Sequence, residues 1–232
     1  VLERVLPIVK KYGAAVVGLT MDQDGIPRTA ERRVEIARRI LEAALAHGIP
    51  REDVWIDCLA LTVSAQQEQA AETLRAVGTV RRELGLQTVL GVSNISFGLP
   101  GRALVTQSFL TQALAAGLTL PIVNPNQREM MDAVAAFRVL SGEDVQCRDY
   151  IARFAAAPSA PAPAGAMTLE EAVARGLRAD AARLAREALE RTDGLALVEG
   201  RLIPALDAVG EGYERGTVFL PQLLSAAQAA QA

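Results

Sequence analysis

Apolar and polar positions along the first two thirds of the chain come in blocks. Four short runs are almost wholly apolar: residues 14–19 (AAVVGL), 54–61 (VWIDCLAL), 89–92 (VLGV) and 118–123 (LTLPIV). Each has the length and composition of a strand buried on both faces. A polar loop follows each run, TMDQDGIP after the first and Asn124-Pro125-Asn126 after the fourth. Between the runs the pattern changes to helical spacing. Residues 1–12 read as the end of an amphipathic helix stopped by Gly13, and a second helix runs from near Thr29 through Ala46. A third is opened by Ser64-Ala-Gln-Gln67, which matches a capping box, and a fourth covers about 104–116. Four strand-then-helix units predict a parallel sheet covered by helices, in either a doubly wound sheet or a β/α barrel.

Residues 155–166 read AAAPSAPAPAGA, an Ala/Pro stretch that holds neither helix nor strand and reads as an extended linker. Beyond it Thr168-Leu-Glu-Glu171 forms a second capping box and opens an all-helical region. Breaks near Gly176, Asp193-Gly194 and Gly216 divide it into helices at about 168–175, 178–191, 196–213 and 219–231. Leu202, Ile203, Leu206 and Val209 recur at helical spacing, and a small four-helix bundle is the simplest closure. The expected organisation is an α/β domain at 1–154, a linker at 155–167 and a helical domain at 168–232.

Polar residues at the strand ends carry the candidate chemistry. Asp57 interrupts the second apolar run between Ile56 and Cys58, where a carboxylate needs a partner, either a structural one from backbone or loop or a ligand. Ser93, Asn94 and Ser96 follow the third run directly, and Asn124 and Asn126 follow the fourth. In α/β folds this end of the strands is where ligands sit. Neutral amides and one carboxylate suit recognition of a flat heterocycle with several donors and acceptors. In the helical region Tyr213, Phe219 and Leu220 cluster about the turn at Gly216, as core or as a face over an apolar cofactor or partner.

Composition narrows the classes. The 232 residues are 50% hydrophobic and 22% charged, which fits a folded chain with a sizeable core, and the net charge of -3 gives no basic footprint for nucleic acid. No run approaches a membrane span, and no signal-peptide pattern opens the chain. The single histidine, His47, reads as a surface loop residue, so a Ser/His/Asp triad or a His-rich metal site is not expected. Cys58 and Cys147 form no CxxC pair, and a reducing, cytoplasmic setting is expected. No P-loop or dinucleotide glycine fingerprint follows any strand. Val1 already stands inside a helical pattern, as in a segment of a longer protein.

Three phrases, WIDCLAL, GVSNISFGLPGR and IVNPN, together with LIPALDAVGEGYERGTVFLPQLLSAAQ near the end, make the chain resemble the cobalamin-dependent methionine synthase family and its corrinoid methyltransferase relatives. The resemblance implies the second half of a pterin-binding TIM-type barrel followed by the helical cap of a cobalamin-binding module. It implies methyl transfer from 5-methyltetrahydrofolate to cob(I)alamin and on to homocysteine, with cobalamin (methylcobalamin) as cofactor. Asn94 matches the catalytic asparagine near the methyl-bearing nitrogen, and Asp57 the aspartate that reads the amino-pyrimidine edge; Ser96 and Asn124, from their strand-end positions, join them as candidate pterin-binding residues. Tyr213 falls where the family has an aromatic and Leu220 where it has a leucine, both resting over the corrin, which points the Tyr213, Phe219 and Leu220 cluster at the cobalamin. The implied partners are the first barrel half, a Rossmann-like cobalamin domain carrying the DxHxxG cobalt-ligating motif, and a homocysteine domain, none of which this sequence supplies. The segment alone is therefore expected to be inactive. Cys58 stands where the family more usually has proline. Two alternatives remain, a methyltetrahydrofolate:corrinoid-protein methyltransferase with another acceptor and a non-catalytic corrinoid-binding module.

Overall fold

The computed structural model describes residues 1–155 and 167–232, so the linker expected at 155–167 lies almost wholly outside the described residues. The chain divides into two compact units, Val1–Ser141 and Gly142–Ala232.

In the first unit, helix α1 (Leu2–Tyr12) leads into strand β1 (Val16–Leu19), then α2 (Ala30–Ala46), β2 (Val54–Asp57), α3 (Gln69–Thr79), β3 (Gln87–Gly91), α4 (Arg102–Ala116), β4 (Leu120–Ile122) and α5 (Arg128–Leu140). All three strand pairs are parallel and the sheet order is β1-β2-β3-β4. A doubly wound sheet reverses its strand order, whereas a barrel adds each strand beside the last. The sequential order, with α2, α3, α4 and α5 packed in a row, resolves the two alternatives in favour of the barrel arrangement. Four strands are half the number that closes a barrel.

The core lies between the sheet and its helices, built from residues such as Ala37, Ile40, Ile56, Leu90 and Leu110. Side chains on a strand alternate between faces. Ile56 and Val54 are fully buried, while Val17, Leu19, Trp55 and Asp57 share the opposite face. On that face Val17 is 49% and Leu19 44% exposed, so the expectation of burial on both faces fails for β1 among the described residues. Side chains extend the β3–β4 pairing past its short ladder. The Thr88 N–H donates to Thr119 Oγ1 at 2.9 Å, and that hydroxyl donates to the Thr88 carbonyl at 3.0 Å.

Two local expectations are corrected. The second strand ends at Asp57 instead of continuing to residue 61, because Leu59 adopts a left-handed conformation (φ 61°) that no strand accommodates. Ser64 caps no helix: α3 begins only at Gln69, and the Ser64 hydroxyl donates to the Phe97 carbonyl at 2.8 Å.

The second unit begins with α6 (Arg148–Phe154), whose first turn is capped by Asp144: its two carboxylate oxygens accept from the N–H groups of Asp149 and Tyr150. Helices α7 (Leu169–Ala174), α8 (Arg178–Leu189), α9 (Gly194–Leu197), α10 (Ile203–Glu214) and α11 (Leu220–Ala230) follow. They pack around Leu169, Ala172, Val173, Leu197 and Ala229 as the expected small helical bundle. The capping box at Thr168 forms: the Glu171 N–H donates to Thr168 Oγ1 at 3.2 Å, and the Thr168 N–H to Glu171 Oε2 at 3.1 Å. The helix expected at 196–213 is continuous in path but widened into a π turn at Val198–Leu202. Pro204 explains the break, since it has no N–H to return to the preceding turn.

Candidate functional site

The polar residues predicted at the strand ends fall on three neighbouring strands. Asp57 closes β2, Asn94 follows β3 and Asn124 follows β4. Adjacent strands lie about 4.8 Å apart, so the three residues line one stretch of the C-terminal rim of the sheet.

Asp57 is half-buried. Its Oδ1 accepts the Leu59 N–H at 2.8 Å, and its backbone carbonyl accepts from the N–H and the hydroxyl of Thr20. Burial raises the carboxyl pKa above the ordinary carboxylate range, and the Leu59 hydrogen bond only partly offsets this. Beside it Cys58 is fully buried, and burial pushes its thiol up to about 12, with the Asp57 charge adding to the effect. That thiol is neutral and inert at physiological pH.

Asn94 sits in a tight helical turn, Val92–Ser96, immediately after β3. It is exposed, and no described residue hydrogen-bonds its side-chain amide. A Cβ on Gly91 would lie 3.1 Å from Asn94 Nδ2, so the absent side chain at 91 leaves room for that amide. Beneath it, Ser96 is completely buried. Its hydroxyl lies 2.8 Å from Thr106 Oγ1, 3.3 Å from the Ser93 carbonyl, and accepts from Arg102 Nε at 3.2 Å. Arg102 also donates to the Ser93 carbonyl and lies 5.4 Å from the Phe97 ring centre. From the β2 side, Thr62 and Ser64 both donate to the Phe97 carbonyl. The loop that carries Asn94 is thus held at both ends while its amide faces outward. Asn124 is exposed, and its Oδ1 accepts the Asn126 N–H at 3.0 Å, an Asx turn that shapes the loop and leaves the NH2 group outward.

Two cations that pattern reading missed support this rim. Arg102 is one. The other, Arg33 on α2, is fully buried, and its guanidinium donates to five acceptors: the carbonyls of Pro27, Cys58 and Leu59, Thr73 Oγ1 and Gln69 Oε1. Its signal was present in the sequence, because position 33 lies on the stripe of Ala30, Val34, Ala37, Ile40 and Ala44 that is otherwise apolar. A shallow apolar cavity of about 260 Å³ lies behind the rim, lined by Val63, Ile95, Leu104 and Phe109 among others. None of the predicted ligand residues lines it. His47 packs at the opposite end of the strands, with its ring Nδ1 2.9 Å from the Ala43 carbonyl. Among the described residues there is no cluster of metal-ligating side chains, and no helix is long and apolar enough to cross a membrane.

In the helical unit, Tyr213, Phe219 and Leu220 flank the turn between α10 and α11. The Gly212 carbonyl accepts from both the Thr217 and Val218 N–H groups. A Cβ at position 212 would lie 2.7 Å from Val218 Cγ2, so any larger residue there would force Val218 to shift. The Gln222 side chain caps α11 by accepting the Phe219 N–H at 2.8 Å. The turn leaves Tyr213 45%, Phe219 37%, Leu220 51% and Leu224 55% exposed, an apolar face with a defined backbone beneath it.

Comparison with known proteins finds a family match for both regions of the chain. Residues 2–124, more than half of the chain, match the family described as pterin binding enzyme. The chain belongs to the pterin-binding enzyme family. Residues 167–232, the helical region with the exposed turn, match the family described as B12 binding domain. The chain is 32% identical over 140 residues to the methylcorrinoid:tetrahydrofolate methyltransferase of Eubacterium limosum, covering 60% of this chain and 52% of that protein. It is 29% identical to the methionine synthase of Mycobacterium leprae and 28% identical to that of Mycobacterium tuberculosis, in each case along 99% of this chain. It spans about half the length of the first relative and about a fifth of the two synthases. The pairing of a pterin-binding match with a B12-binding match in one chain, along the length of methionine synthases, supports the resemblance read from the sequence.

Proposed function

We propose that this chain supplies a pterin-binding rim and a cobalamin-capping turn to a methyltransferase that moves a methyl group from 5-methyltetrahydrofolate to cob(I)alamin and on to homocysteine. The observation that carries the reading is the placement of a half-buried carboxylate and an outward, unbonded amide at the ends of two adjacent parallel strands, Asp57 and Asn94. An amino-pyrimidine edge offers two N–H donors to a carboxylate. Asp57 has one oxygen tied to Leu59 and presents the other. Asn94 can donate to a ring nitrogen or accept from it, so one side chain serves that nitrogen before and after it changes protonation. Asn124 presents its NH2 group one strand further along, and Ser96 acts from beneath by holding the Asn94 loop.

The apolar turn of the helical unit fits a corrinoid. Tyr213, Phe219 and Leu220 carry no formal charge, stand exposed on a hydrogen-bonded turn, and would exclude water from the face they cover. When bound, cobalamin would supply the methyl-accepting metal centre. The residues of this turn would hold no metal themselves and would shield the face they cover.

Calorimetric titration of the 232-residue chain with 5-methyltetrahydrofolate tests the pterin half. Saturable binding is expected, weakened about tenfold or more by Asp57→Asn and by Asn94→Ala, since each removes a hydrogen bond worth roughly a decade in affinity. Equal affinity in all three proteins would remove both residues from the site. A second reading, transfer to or from a corrinoid protein serving another acceptor, is favoured by the 32% identity to the Eubacterium limosum enzyme. Assay of the complete enzyme with homocysteine as acceptor separates the two, because only the first reading gives methionine.

A further inference from the structure

Asp57 depends on a peptide that should not hold its shape unaided. Leu59 has φ 61°, a left-handed conformation that its Cβ disfavours and that persists only where the surroundings impose it. In that conformation its N–H meets Asp57 Oδ1 at 2.8 Å. The restraint comes from behind. Arg33 Nη1 donates to the carbonyls of Cys58 at 3.1 Å and Leu59 at 3.2 Å, and to Thr73 Oγ1 at 2.8 Å; Thr73 in turn donates to the Leu59 carbonyl at 3.2 Å. The Thr73 hydroxyl proton is shared between the Leu59 carbonyl and the Gln69 carbonyl of its own helix, 2.9 Å away. Nη2 donates to Gln69 Oε1 at 2.7 Å, and Nε to the Pro27 carbonyl at 2.9 Å.

We infer that Arg33 is a positioning residue for Asp57: it clamps the Cys58–Leu59 peptide so that the Leu59 N–H occupies one carboxylate oxygen and the other is left for the ligand. The inference rests on the pterin reading of Asp57 for the identity of that ligand, but not for the clamp itself. Arg33 is an expensive way to fill a core. It is a buried cation, none of its five hydrogen-bond acceptors is a carboxylate, and an apolar residue on this stripe of α2 would avoid the desolvation. The nearby Glu72 is committed elsewhere, accepting from the Ala30 N–H at 2.8 Å and pairing with Arg75. What a guanidinium adds is a rigid planar fork that reaches several acceptors in fixed directions, which lysine lacks. Here the fork joins the loop after β1, the loop after β2 and helix α3, and the strained leucine lies at its centre.

The test follows the Leu59 amide by NMR in the full chain. In the otherwise wild-type protein, Asp57→Asn should move the Leu59 amide proton upfield, because a charge-assisted bond becomes a neutral one. In Arg33→Lys that amide should already lie upfield, lose its protection from hydrogen exchange, and show no further response to Asp57→Asn, while the amides of residues 54–56 keep their wild-type shifts. If Arg33→Lys does not fold, Thr73→Val removes one acceptor of the fork and one donor to Leu59, and should give the same loss in part. A Leu59 amide that keeps its wild-type shift, protection and response in the folded variant overturns the inference. Titration with 5-methyltetrahydrofolate separates the clamp from the ligand. Affinity about tenfold lower in Arg33→Lys supports both. Loss of the Leu59 response with unchanged affinity leaves the clamp standing and removes Asp57 from the pterin site.

Discussion

At the scale of single residues, the rim is built from groups that are each slightly costly. Gly91 has φ in the ordinary range, so its role is space: a methyl group there would press on the Asn94 amide at 3.1 Å. Gly91→Ala is expected to fold with a stability change below about 1 kcal/mol, because the neighbour is the far end of a side chain that can turn away. It should weaken 5-methyltetrahydrofolate binding, since the amide that turns away is the one proposed to meet the ligand; titration of the variant checks this. Asp57 has a raised pKa, so between the ordinary carboxylate value and its folded value the native state binds more protons than the unfolded chain. Stability therefore falls as pH rises through that window and is flat above it. Asp57→Asn, which keeps an acceptor for Leu59, should raise the melting temperature at pH 7, and the gain should vanish below pH 3. The two cysteines should differ sharply. Cys58 is buried with its thiol pushed up to about 12, and Cys147 is partly exposed. A thiol reagent should count one cysteine in the native protein and two after denaturation.

At the scale of elements, the caps and pairs of the helical unit are local and separable. Thr168→Ala removes the capping box of α7 and should cost about 1 kcal/mol. In the same first turn, Glu170 accepts from Arg201 Nε at 2.5 Å and Nη2 at 2.7 Å, joining α7 to the π turn before α10. Arg201 holds the Glu170 carboxyl down at about 2. The stability it contributes is present above the ordinary glutamate pKa and is lost as pH falls toward 2. Both side chains are more than a third exposed, so solvent screening limits the pair to no more than about 1 kcal/mol. Acid melts of Arg201→Met should accordingly differ from wild type at pH 6 and converge with it near pH 2.

At the scale of the whole molecule, the sheet formed by the described residues has four strands, of which the outer two, β1 and β4, pair on one side only among those residues. Both carry exposed apolar side chains, Val17 at 49% and Leu19 at 44% on β1, and Ile122 at 60% on β4. Open parallel edges with apolar neighbours recruit other chains. The 232-residue chain is expected to self-associate with rising concentration, and Val17→Lys should reduce that association without lowering helix content; light scattering and circular dichroism read the two quantities.

Much of this was legible from residue order. The block pattern of apolar runs and polar loops reports burial of a sheet, and burial depends on side-chain chemistry that each residue carries by itself; hence the four strands, the parallel arrangement and the helical second region could be read directly. Asn94 and Asp57 stood out because polar groups at the end of an apolar run need a reason. Three things depended on contacts between segments distant in sequence. Sheet order chose the barrel arrangement over the doubly wound one, since both share the same local pattern. The left-handed Leu59 ended β2 four residues early, because a backbone angle imposed by Arg33 and Thr73 leaves no trace in the leucine itself. Ser64 and Ser96 became supports of the Asn94 loop, the first by reaching Phe97 across 33 residues and the second by turning inward to Thr106. Local chemistry determined which residues are polar at the rim, and only the packing of α2, α3 and α4 behind it decided which of them face outward and how firmly they are held.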